Sequence, residues 1–493
     1  MADIIGRKFE IQKMNSLRET DTAQFWAFYG RHRIGKTFLV RRFFAEKDCL
    51  FCEVTGQKGQ KLERQVAHFQ SSIEKIFFDG QRLPKFKNWT DAFESLLVGL
   101  QLQAKKDPNK ECVVFLDELP WLATQKSGLL DAIDHAWNTQ LHNFPNFRLI
   151  ICGSAASWII EKVIYSKGGL HNRLTATFRL LPFSLSETKE YLKKIKHSPL
   201  DESQILELYM CMGGVPFYLS FVKSEFTASQ NIGNLFFGKG ELWDEFDKLF
   251  APLFENHETH EKIVKALVSS PQGLIREEIV SKAKVPEGRT ATVALKELEE
   301  AGFIGKFVPI NRTSREVIYR VTDEFCIFHF KWIAGGAANH LLNNGADHWM
   351  LQVQSQEFVS WSGLAFESIC FKHVRQITKK LGFSSVALKA GPWSHRIIKS
   401  ENAKNQSGAQ IDLLFERADK VTTIAEIKYH RNKFELTKKE KENIENKIAC
   451  YTERSKNKNY VNVAIVAPHG LLVNKHSEGF VTGVVTLADL FDC

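Results

Sequence analysis

The sequence lacks any long hydrophobic run. None of its apolar stretches approaches the roughly 18 to 20 uninterrupted residues that a membrane-spanning helix needs. Charged residues are spread through the first seventeen positions, so this segment has no apolar core of a secretory signal peptide. The nine cysteines are scattered over 493 residues, which suits a reducing compartment better than a disulfide framework. These absences predict a cytoplasmic protein without a membrane partner.

Glycine and proline, at 30 and 13 residues, are too scarce for a fibrous or disordered chain. A chain of this length is too long for one hydrophobic core, so two to four domains are expected. The formal net charge of +9 permits a polyanionic partner but is weak evidence for one. Cys49 and Cys52 form a C-x-x-C in the apolar run CLFCEV, where small core residues are a better interpretation than metal ligands.

Four short apolar runs alternate with helical stretches over residues 1–231. They read FWAFYG, LFCEV, CVVFLDE and RLIICGS. Near-continuous hydrophobicity over four to seven residues is typical of strands covered on both faces. Their alternation with helices predicts an α/β domain with a parallel sheet.

A phosphate-binding motif, G-x-x-x-x-G-K-T, lies between the first apolar run and an amphipathic helix. Its two glycines let the backbone wrap closely and point N–H groups at phosphate oxygens, and the following helix adds its positive dipole end. We expect Lys36 to reach the β- and γ-phosphates of ATP and Thr37 to coordinate Mg²⁺. The predicted ATP-binding residues of this loop are Gly30, Arg31, His32, Arg33, Ile34, Gly35, Lys36 and Thr37.

A second part of the predicted ATP site, two acidic residues, follows the apolar run CVVFL. Asp117, at the carboxyl end of that predicted strand, can hold Mg²⁺ through its water shell. The next residue, Glu118, is placed to polarise an attacking water. Because both parts of the site occur in one chain, the sequence predicts ATP hydrolysis as well as ATP binding.

These motifs resemble the AAA-like ATPases of the archaeal, STAND-related group. IIGRKFEIQKM is similar to their adenine-side box, and RLIICGSAASWIIEKV to their fourth strand, whose polar tip Ser154 would sense the γ-phosphate. YMCMGGVPFYL resembles the G-x-P element of their helical lid, which implies a nucleotide-binding role for Gly214 and Pro216. Arg173 matches the arginine of a segment that often reads L-Y-G-R, although the two residues before it differ. It is either an arginine finger in a nucleotide-dependent homo-oligomer or part of a structural ion pair.

Residues 232–345 contain three short helices and a polar hairpin, the pattern of a winged helix. Four small or apolar residues of the third helix recur at helical spacing and are predicted to face a core: Ala291, Ala294, Leu295 and Leu298. Four polar residues are left for the exposed face: Arg289, Thr290, Thr292 and Lys296. In DNA-binding relatives such a face enters the major groove, while wing residues, here Arg312 and Arg315, contact phosphates.

Three glutamates of the same helix would repel phosphate: Glu297, Glu299 and Glu300. Packing on the ATPase module is therefore favoured over DNA binding as the role of this domain.

Residues 346–493 open with a helix and continue with the strand-like runs AQIDLLFER, VTTIAEIKY and YVNVAIVAP. The first two flank a polar turn and should form a hairpin. Asp412 and Glu426 lie about equally far from that turn, so their side chains are expected at the same level. Gln410 shares a face with Asp412, and Lys428 shares one with Glu426, because side chains alternate along a strand.

This arrangement resembles the PD-(D/E)xK nuclease superfamily. The resemblance implies that Asp412 and Glu426 hold one or two Mg²⁺ ions and that Lys428 orients or deprotonates a bound water. Glu367, in SGLAFESIC, matches the helix carboxylate that completes the metal shell. Lys447 and Tyr451 fall where some relatives have a Q-x-x-x-Y pair, with Lys replacing Gln. The Lys438–Lys447 stretch interleaves glutamates at helical spacing, which favours a solvated helix face.

The leading hypothesis is an α/β protein of three parts: an ATPase over 1–231, a winged helix over 232–345 and a nuclease-like domain over 346–493. ATP would control a metal-dependent nuclease acting on nucleic acid, DNA more than RNA, in host defence or mobile-element biology. The alternative is a STAND-like signalling or scaffolding switch whose carboxyl-terminal domain only binds nucleic acid or protein.

Overall fold

The computed structural model describes residues 3–124, 126–154, 156–164, 169–254, 256–310, 317–334, 347, 349–395, 408–455 and 458–492. Arg312 and Arg315 of the expected wing lie outside these ranges. Within them, no helix is both long enough and apolar enough to cross a membrane.

The chain divides into two compact units that cross the boundaries expected from the sequence. The first unit comprises Met1–Pro182, Leu249–His257 and Lys296–Gly302. The second comprises Phe183–Lys248, Glu258–Leu295 and Phe303–Cys493.

The first unit contains a five-stranded parallel sheet in the order β2–β3–β4–β1–β5. Its strands are β1 (Gln24–Tyr29), β2 (Cys49–Thr55), β3 (Glu111–Asp117), β4 (Phe147–Gly153) and β5 (Ala176–Arg179). The predicted parallel sheet is confirmed, and β1 to β4 are the four apolar runs. β5 was not predicted, because four residues are too few to show a clear strand pattern.

Both faces of this sheet are covered, as the near-continuous hydrophobicity of its strands requires. Phe25 and Ala27 of β1 belong to one buried cluster, whereas Trp26 and Phe28 belong to another on the opposite face. The α-helices of the unit are Lys8–Arg18, Lys36–Ala45, Leu62–Phe77, Trp89–Lys106, Leu119–Leu122, Leu129–Thr139 and Ala156–Ile159.

The second unit begins with helices that the sequence assigned to the ATPase lid. Aromatic contacts join them to later segments: Tyr218 lies 5.4 Å from Phe325 between ring centroids, and Phe236 lies 5.8 Å from the same ring. The amide of Leu185 donates a hydrogen bond to His373 Nε2 at 3.3 Å. These buried contacts explain why the compact unit starts at Phe183 rather than after residue 231.

The helices of the second unit follow in three groups. The lid helices are Leu185–Lys194, Glu202–Met212, Pro216–Leu219 and Ala228–Phe236. The middle helices are His257–Val268, Arg276–Ala283 and Arg289–Glu300, of which the first and last extend into residues of the first unit. The later helices are Glu324–Phe328, Gln356–Lys372, Val374–Lys380, Lys438–Ser455 and Leu487–Phe491.

The middle helices precede an antiparallel pair, β6 (Ile304–Phe307) and β7 (Ile318–Val321). A bridge between Leu274 and Tyr319 adds a third short segment to this pair. The four core positions expected in Arg289–Glu300 are buried. The four polar residues expected on its outer face, Arg289, Thr290, Thr292 and Lys296, are exposed.

A mixed five-stranded sheet has the order β14–β12–β10–β9–β8. Its strands are β8 (Ala387–His395), β9 (Ala409–Arg417), β10 (Val421–Ile427), β12 (Tyr460–Val466) and β14 (Val481–Val485). β9 and β10 form the expected antiparallel hairpin, and β10 runs parallel to β12. β8 and β14, the two edge strands, were not predicted. The short strands β11 (Phe434–Glu435) and β13 (Leu471–Leu472) pair separately.

Candidate nucleotide-binding site and buried carboxylate cluster

The loop after β1 has backbone angles that favour glycine at two positions. Gly30 has a φ of 140°, and a Cβ there would lie 2.3 Å from the carbonyl oxygen of Leu180. Gly35 has a φ of 87° and directly precedes the helix Lys36–Ala45. The loop therefore turns tightly and delivers the chain to a helix amino terminus, where N–H groups and the helix dipole favour an anion.

Lys36 is buried inside this loop. Its Nζ donates hydrogen bonds to the carbonyl oxygens of Gly30, at 3.0 Å, and Arg31, at 2.8 Å. Burial lowers the pKa of Lys36 below its ordinary value. Burial and the charge of Lys36 also lower the pKa of His32 to about 4. His32 is thus neutral near pH 7, and the Lys36 ammonium nitrogen is held in place by the loop backbone.

Thr37 and Asp117 meet although eighty residues separate them. The Thr37 hydroxyl donates to both carboxylate oxygens of Asp117, at 3.1 and 3.0 Å. Asp117 ends β3 and is buried. A hydroxyl and a carboxylate are oxygen donors of the kind that Mg²⁺ takes, so these two residues fit that ion.

Glu118 is held by the residue that follows β4. The Ser154 hydroxyl and amide donate to Oε2 of Glu118 at 2.9 and 3.2 Å. Glu118 has a φ of 48°, a left-handed conformation that is uncommon for a non-glycine residue. Burial raises the pKa of Glu118, and the charge of Lys36 opposes this rise. The carboxylate is therefore fixed in orientation and more basic than an exposed glutamate.

Of the other residues expected at the ATP site, Arg173 lies in the first unit, and Gly214 and Pro216 lie in the second. Arg173 is partly exposed and its Nε lies 3.5 Å from Oδ1 of Asp134, an ion pair within the first unit. A Cβ at Gly214 would lie 1.9 Å from the Phe183 carbonyl oxygen, so glycine is needed there for close packing.

Comparison with known proteins identifies the nucleotide-binding part. Residues 4–222 match a family model described as an ATPase domain predominantly from Archaea. This segment is an archaeal-type ATPase domain. Membership of that domain family supports ATP binding and hydrolysis, in agreement with the geometry of the loop, Asp117 and Glu118.

Relatives that cover most of the chain are distant. The uncharacterized protein MJECL04 of Methanocaldococcus jannaschii is 24% identical over 433 residues, which cover 86% of this chain and 87% of that protein. The Walker-type ATPase paby2304 of Pyrococcus abyssi is 19% identical, with a TM-score of 0.46, over 67% of this chain and 96% of that chain. The Aeropyrum pernix ORC2 protein is 13% identical, with a TM-score of 0.39, over 72% and 96%. Likenesses this remote carry no conclusion about activity.

In the second unit, the β9–β10 hairpin places Asp412 and Glu426 at one level. Leu413 pairs with Ala425, so Asp412 and Glu426 come one residue further along each strand. Oδ2 of Asp412 accepts a hydrogen bond from the amide of Ile427 at 3.1 Å. Burial raises the pKa of Asp412, and the negative charge of Glu426 raises it further. The two carboxylates therefore share a desolvated site.

Glu426 is paired with two lysines. Lys447 Nζ donates to both of its carboxylate oxygens, at 2.7 and 2.8 Å. Lys428 Nζ lies 3.4 Å from Oε2. The expectation of a solvated face over residues 438–447 was wrong at Lys447, which is buried because Ile444 and Tyr451, on the same side of the helix, pack into the core.

Glu367 has its own cation. Arg320 Nη1 donates to Oε1 of Glu367 at 3.1 Å. No sequence motif predicts this contact, because the two residues belong to distant segments. Burial and the charge of Asp412 raise the pKa of Glu367 to about 7, although Arg320 opposes the rise. Glu367 thus belongs to the same electrostatic cluster as Asp412 and Glu426.

The three carboxylates expected to bind a metal, Glu367, Asp412 and Glu426, are not arranged as the ligands of one ion. Over the described ranges, no three His, Cys, Asp or Glu side chains are grouped closely enough to hold a metal ion. The ion pairs of Glu426 with Lys447 and of Glu367 with Arg320 use the oxygens that such an ion would need. Cys49 and Cys52 also do not form a site, because they pack on opposite faces of the first sheet.

Lys36→Ala is expected to abolish or greatly weaken nucleotide binding, because it removes the buried positive charge of the phosphate loop. Titration of a fluorescent ATP analogue measures this loss. Lys105→Ala, an exposed change at the end of the helix Trp89–Lys106, is the matched control and should bind as the wild type does. Wild-type affinity in Lys36→Ala would contradict the role given to Lys36.

Proposed function

We propose that this protein hydrolyses ATP to control a metal-dependent nuclease-like site in its carboxyl-terminal part, acting on DNA. The observation that supports ATP hydrolysis is the hydrogen bond between Glu118 and Ser154, next to the hydrogen-bonded pair Thr37 and Asp117. Asp117 ends β3, and Glu118 follows it. Ser154 follows the adjacent parallel strand β4, and Thr37 lies in the first turn of the helix after β1. Their spacing supports one catalytic centre.

The chemistry at this centre follows from the side chains. Lys36 binds the phosphates, and Thr37 and Asp117 would hold Mg²⁺, which neutralises charge on the transferred phosphoryl group. Glu118 orients the attacking water and accepts its proton, and its raised pKa makes it a stronger base. Ser154 holds the carboxylate in place, and its position supports a role in sensing the γ-phosphate.

Glu118→Gln is expected to retain ATP binding and to slow hydrolysis by about 10²- to 10⁴-fold, since the amide cannot take the proton. Single-turnover phosphate release separates this effect from binding. Glu94→Gln, an exposed change in the helix Trp89–Lys106, should hydrolyse ATP normally. If Glu118→Gln turned over at the wild-type rate, another residue would be the base.

Arg173 is proposed as a finger acting on a neighbouring subunit, which would require it to leave Asp134. Its partial exposure supports such a movement. We expect ATPase activity per chain to rise steeply with protein concentration, and a mixture of Arg173→Ala with Lys36→Ala chains to recover activity that neither has alone. A rate independent of concentration, with no recovery on mixing, would leave Arg173 with its ion pair only.

For the carboxyl-terminal site, we propose that Asp412, Glu426 and Glu367 bind Mg²⁺ or Mn²⁺ and that Lys428 orients a water. Asp412 raises the pKa of Glu367 and Glu426 raises that of Asp412, so the three carboxylates belong to one electrostatic cluster, and carboxylate oxygens are ligands that these ions take. In the described arrangement they are not grouped closely enough to hold an ion, so binding requires their side chains to move together. A cavity of about 520 Å³ lined by Glu367, Gln410 and residues 270–274 supports access from solvent. The net charge of +9 permits a polyanionic partner, which we propose to be DNA rather than RNA. Arg289 and Lys296 are exposed, although Glu297, Glu299 and Glu300 of the same helix oppose phosphate binding there.

A second candidate function is a nucleotide-controlled switch whose carboxyl-terminal part binds a partner without catalysis. The observation that favours it is the pairing of Glu426 with Lys447, which satisfies the carboxylate without a metal. The two candidates differ in one measurable property, the affinity of this site for a divalent cation.

Mn²⁺ is expected to raise the unfolding temperature of the wild-type protein, and Asp412→Ala is expected to remove that rise. An ion at 100 times its Kd stabilises a protein by about 2.7 kcal/mol. The scan is run without nucleotide, so that phosphate oxygens do not complete a metal shell at Thr37 and Asp117. Glu445→Ala, an exposed change on the helix Lys438–Ser455, should keep the full shift. An equal shift in Asp412→Ala, or none in the wild type, would favour the non-catalytic switch.

A further inference from the structure

We propose that Lys447 is a built-in cation that blocks the carboxylate cluster, so that a divalent ion binds only when the Lys447 ammonium leaves Glu426. The proposal rests on the proposed metal-binding function of Asp412, Glu426 and Glu367. The proposal adds to that function a residue, Lys447, whose position determines whether the site can bind a divalent ion.

The geometry distinguishes Lys447 from the other lysine at the site. Lys447 bonds to both oxygens of Glu426, and the two side chains are 11% and 1% exposed. Lys428 Nζ lies 3.4 Å from Oε2, a longer contact, and its side chain is 29% exposed. A metal ligand must offer a free oxygen lone pair directed at the ion. Lys447 therefore occupies both of the oxygens that Glu426 could offer to an ion.

Protein cations already lie beside two of the carboxylates. Glu367 is paired with Arg320, and Glu426 with Lys447 and Lys428. A divalent ion that bound Glu426 while both ammonium groups remained would place further positive charge directly beside them in a buried site. Like charges at such short distances repel more strongly in a buried site than in water, so a protein cation must move away.

Lys447 can move without unfolding its helix. Ile444 and Tyr451 fix the backbone of the helix Lys438–Ser455 through buried contacts. The ammonium is carried on a flexible four-carbon chain, which can turn it outward while the helix stays in place. Arg320 is less free: its Nε also donates to the carbonyl oxygen of Gln272 at 3.1 Å, and its guanidinium lies 5.1 Å from the centre of the Phe371 ring.

The test is isothermal titration of the full-length chain with MnCl₂ in the absence of nucleotide. Lys447→Gln removes the charge but keeps a donor for Glu426, and we expect its Kd for Mn²⁺ to fall by about tenfold or more. Lys439→Gln, an exposed change on the same helix, is the matched control and should bind Mn²⁺ as the wild type does. Adding Asp412→Ala to Lys447→Gln should remove the gain.

Two contrary results are distinguishable. If the wild type binds Mn²⁺ through Asp412 and Lys447→Gln binds it no more tightly, the blocking role of Lys447 is wrong and the metal site stands. If neither the wild type nor Lys447→Gln binds Mn²⁺ through Asp412, both the blocking role and the metal-dependent function are wrong.

A second measurement needs no variant, in case Lys447→Gln fails to fold. Acetic anhydride modifies accessible amines, and mass spectrometry reports the modification of each lysine. We expect Lys447 to be protected in the wild type without metal and to become several-fold more reactive with saturating Mn²⁺, while Lys439 stays unchanged. Saturation with Mn²⁺ that leaves Lys447 fully protected would overturn the proposal.

Discussion

The parallel alignment of β1, β4 and β3 is the constraint on which the ATPase centre depends. In a parallel sheet every strand ends at the same edge, so residues far apart in the chain meet there. β4 lies between the other two strands, which puts Ser154 beside both the phosphate loop and Asp117. The contacts of Thr37 with Asp117 and of Glu118 with Ser154 follow from this strand order. Without it, the two parts of the predicted ATP site could not form one centre.

In the second unit the dominant constraint is the cost of burying charge. Burial favours the protonated form of a carboxylate, and a nearby cation opposes that effect. Glu426 is almost fully buried and is paired with Lys447, while Glu367 is paired with Arg320. These partners come from the helix Lys438–Ser455 and from β7, respectively. The cluster therefore ties together segments that the sequence assigned to two different domains.

Features set by local sequence were predictable. Uniformly apolar runs predict the buried strands β1 to β4. The pairing of Asp412 with Glu426 across the hairpin is predictable because both residues are about equally distant from the turn. Short or edge strands such as β5, β8 and β14 carry too little pattern to be found. The alternation of lysine and glutamate predicts a solvated helix face, whereas the match to the Q-x-x-x-Y pair distinguishes Lys447 and Tyr451 from their neighbours. Only the fold shows that Lys447 contacts Glu426. The pairing of Arg320 with Glu367 joins residues of distant segments that no motif links.

The two sites hold their central carboxylates in different ways. Ser154 is a neutral donor, so it orients Glu118 without cancelling the charge that a base needs. Lys447 is a cation, so it compensates the charge of Glu426 directly. Glu118 is thus oriented by a neutral group, whereas Glu426 is paired with a cation of its own chain.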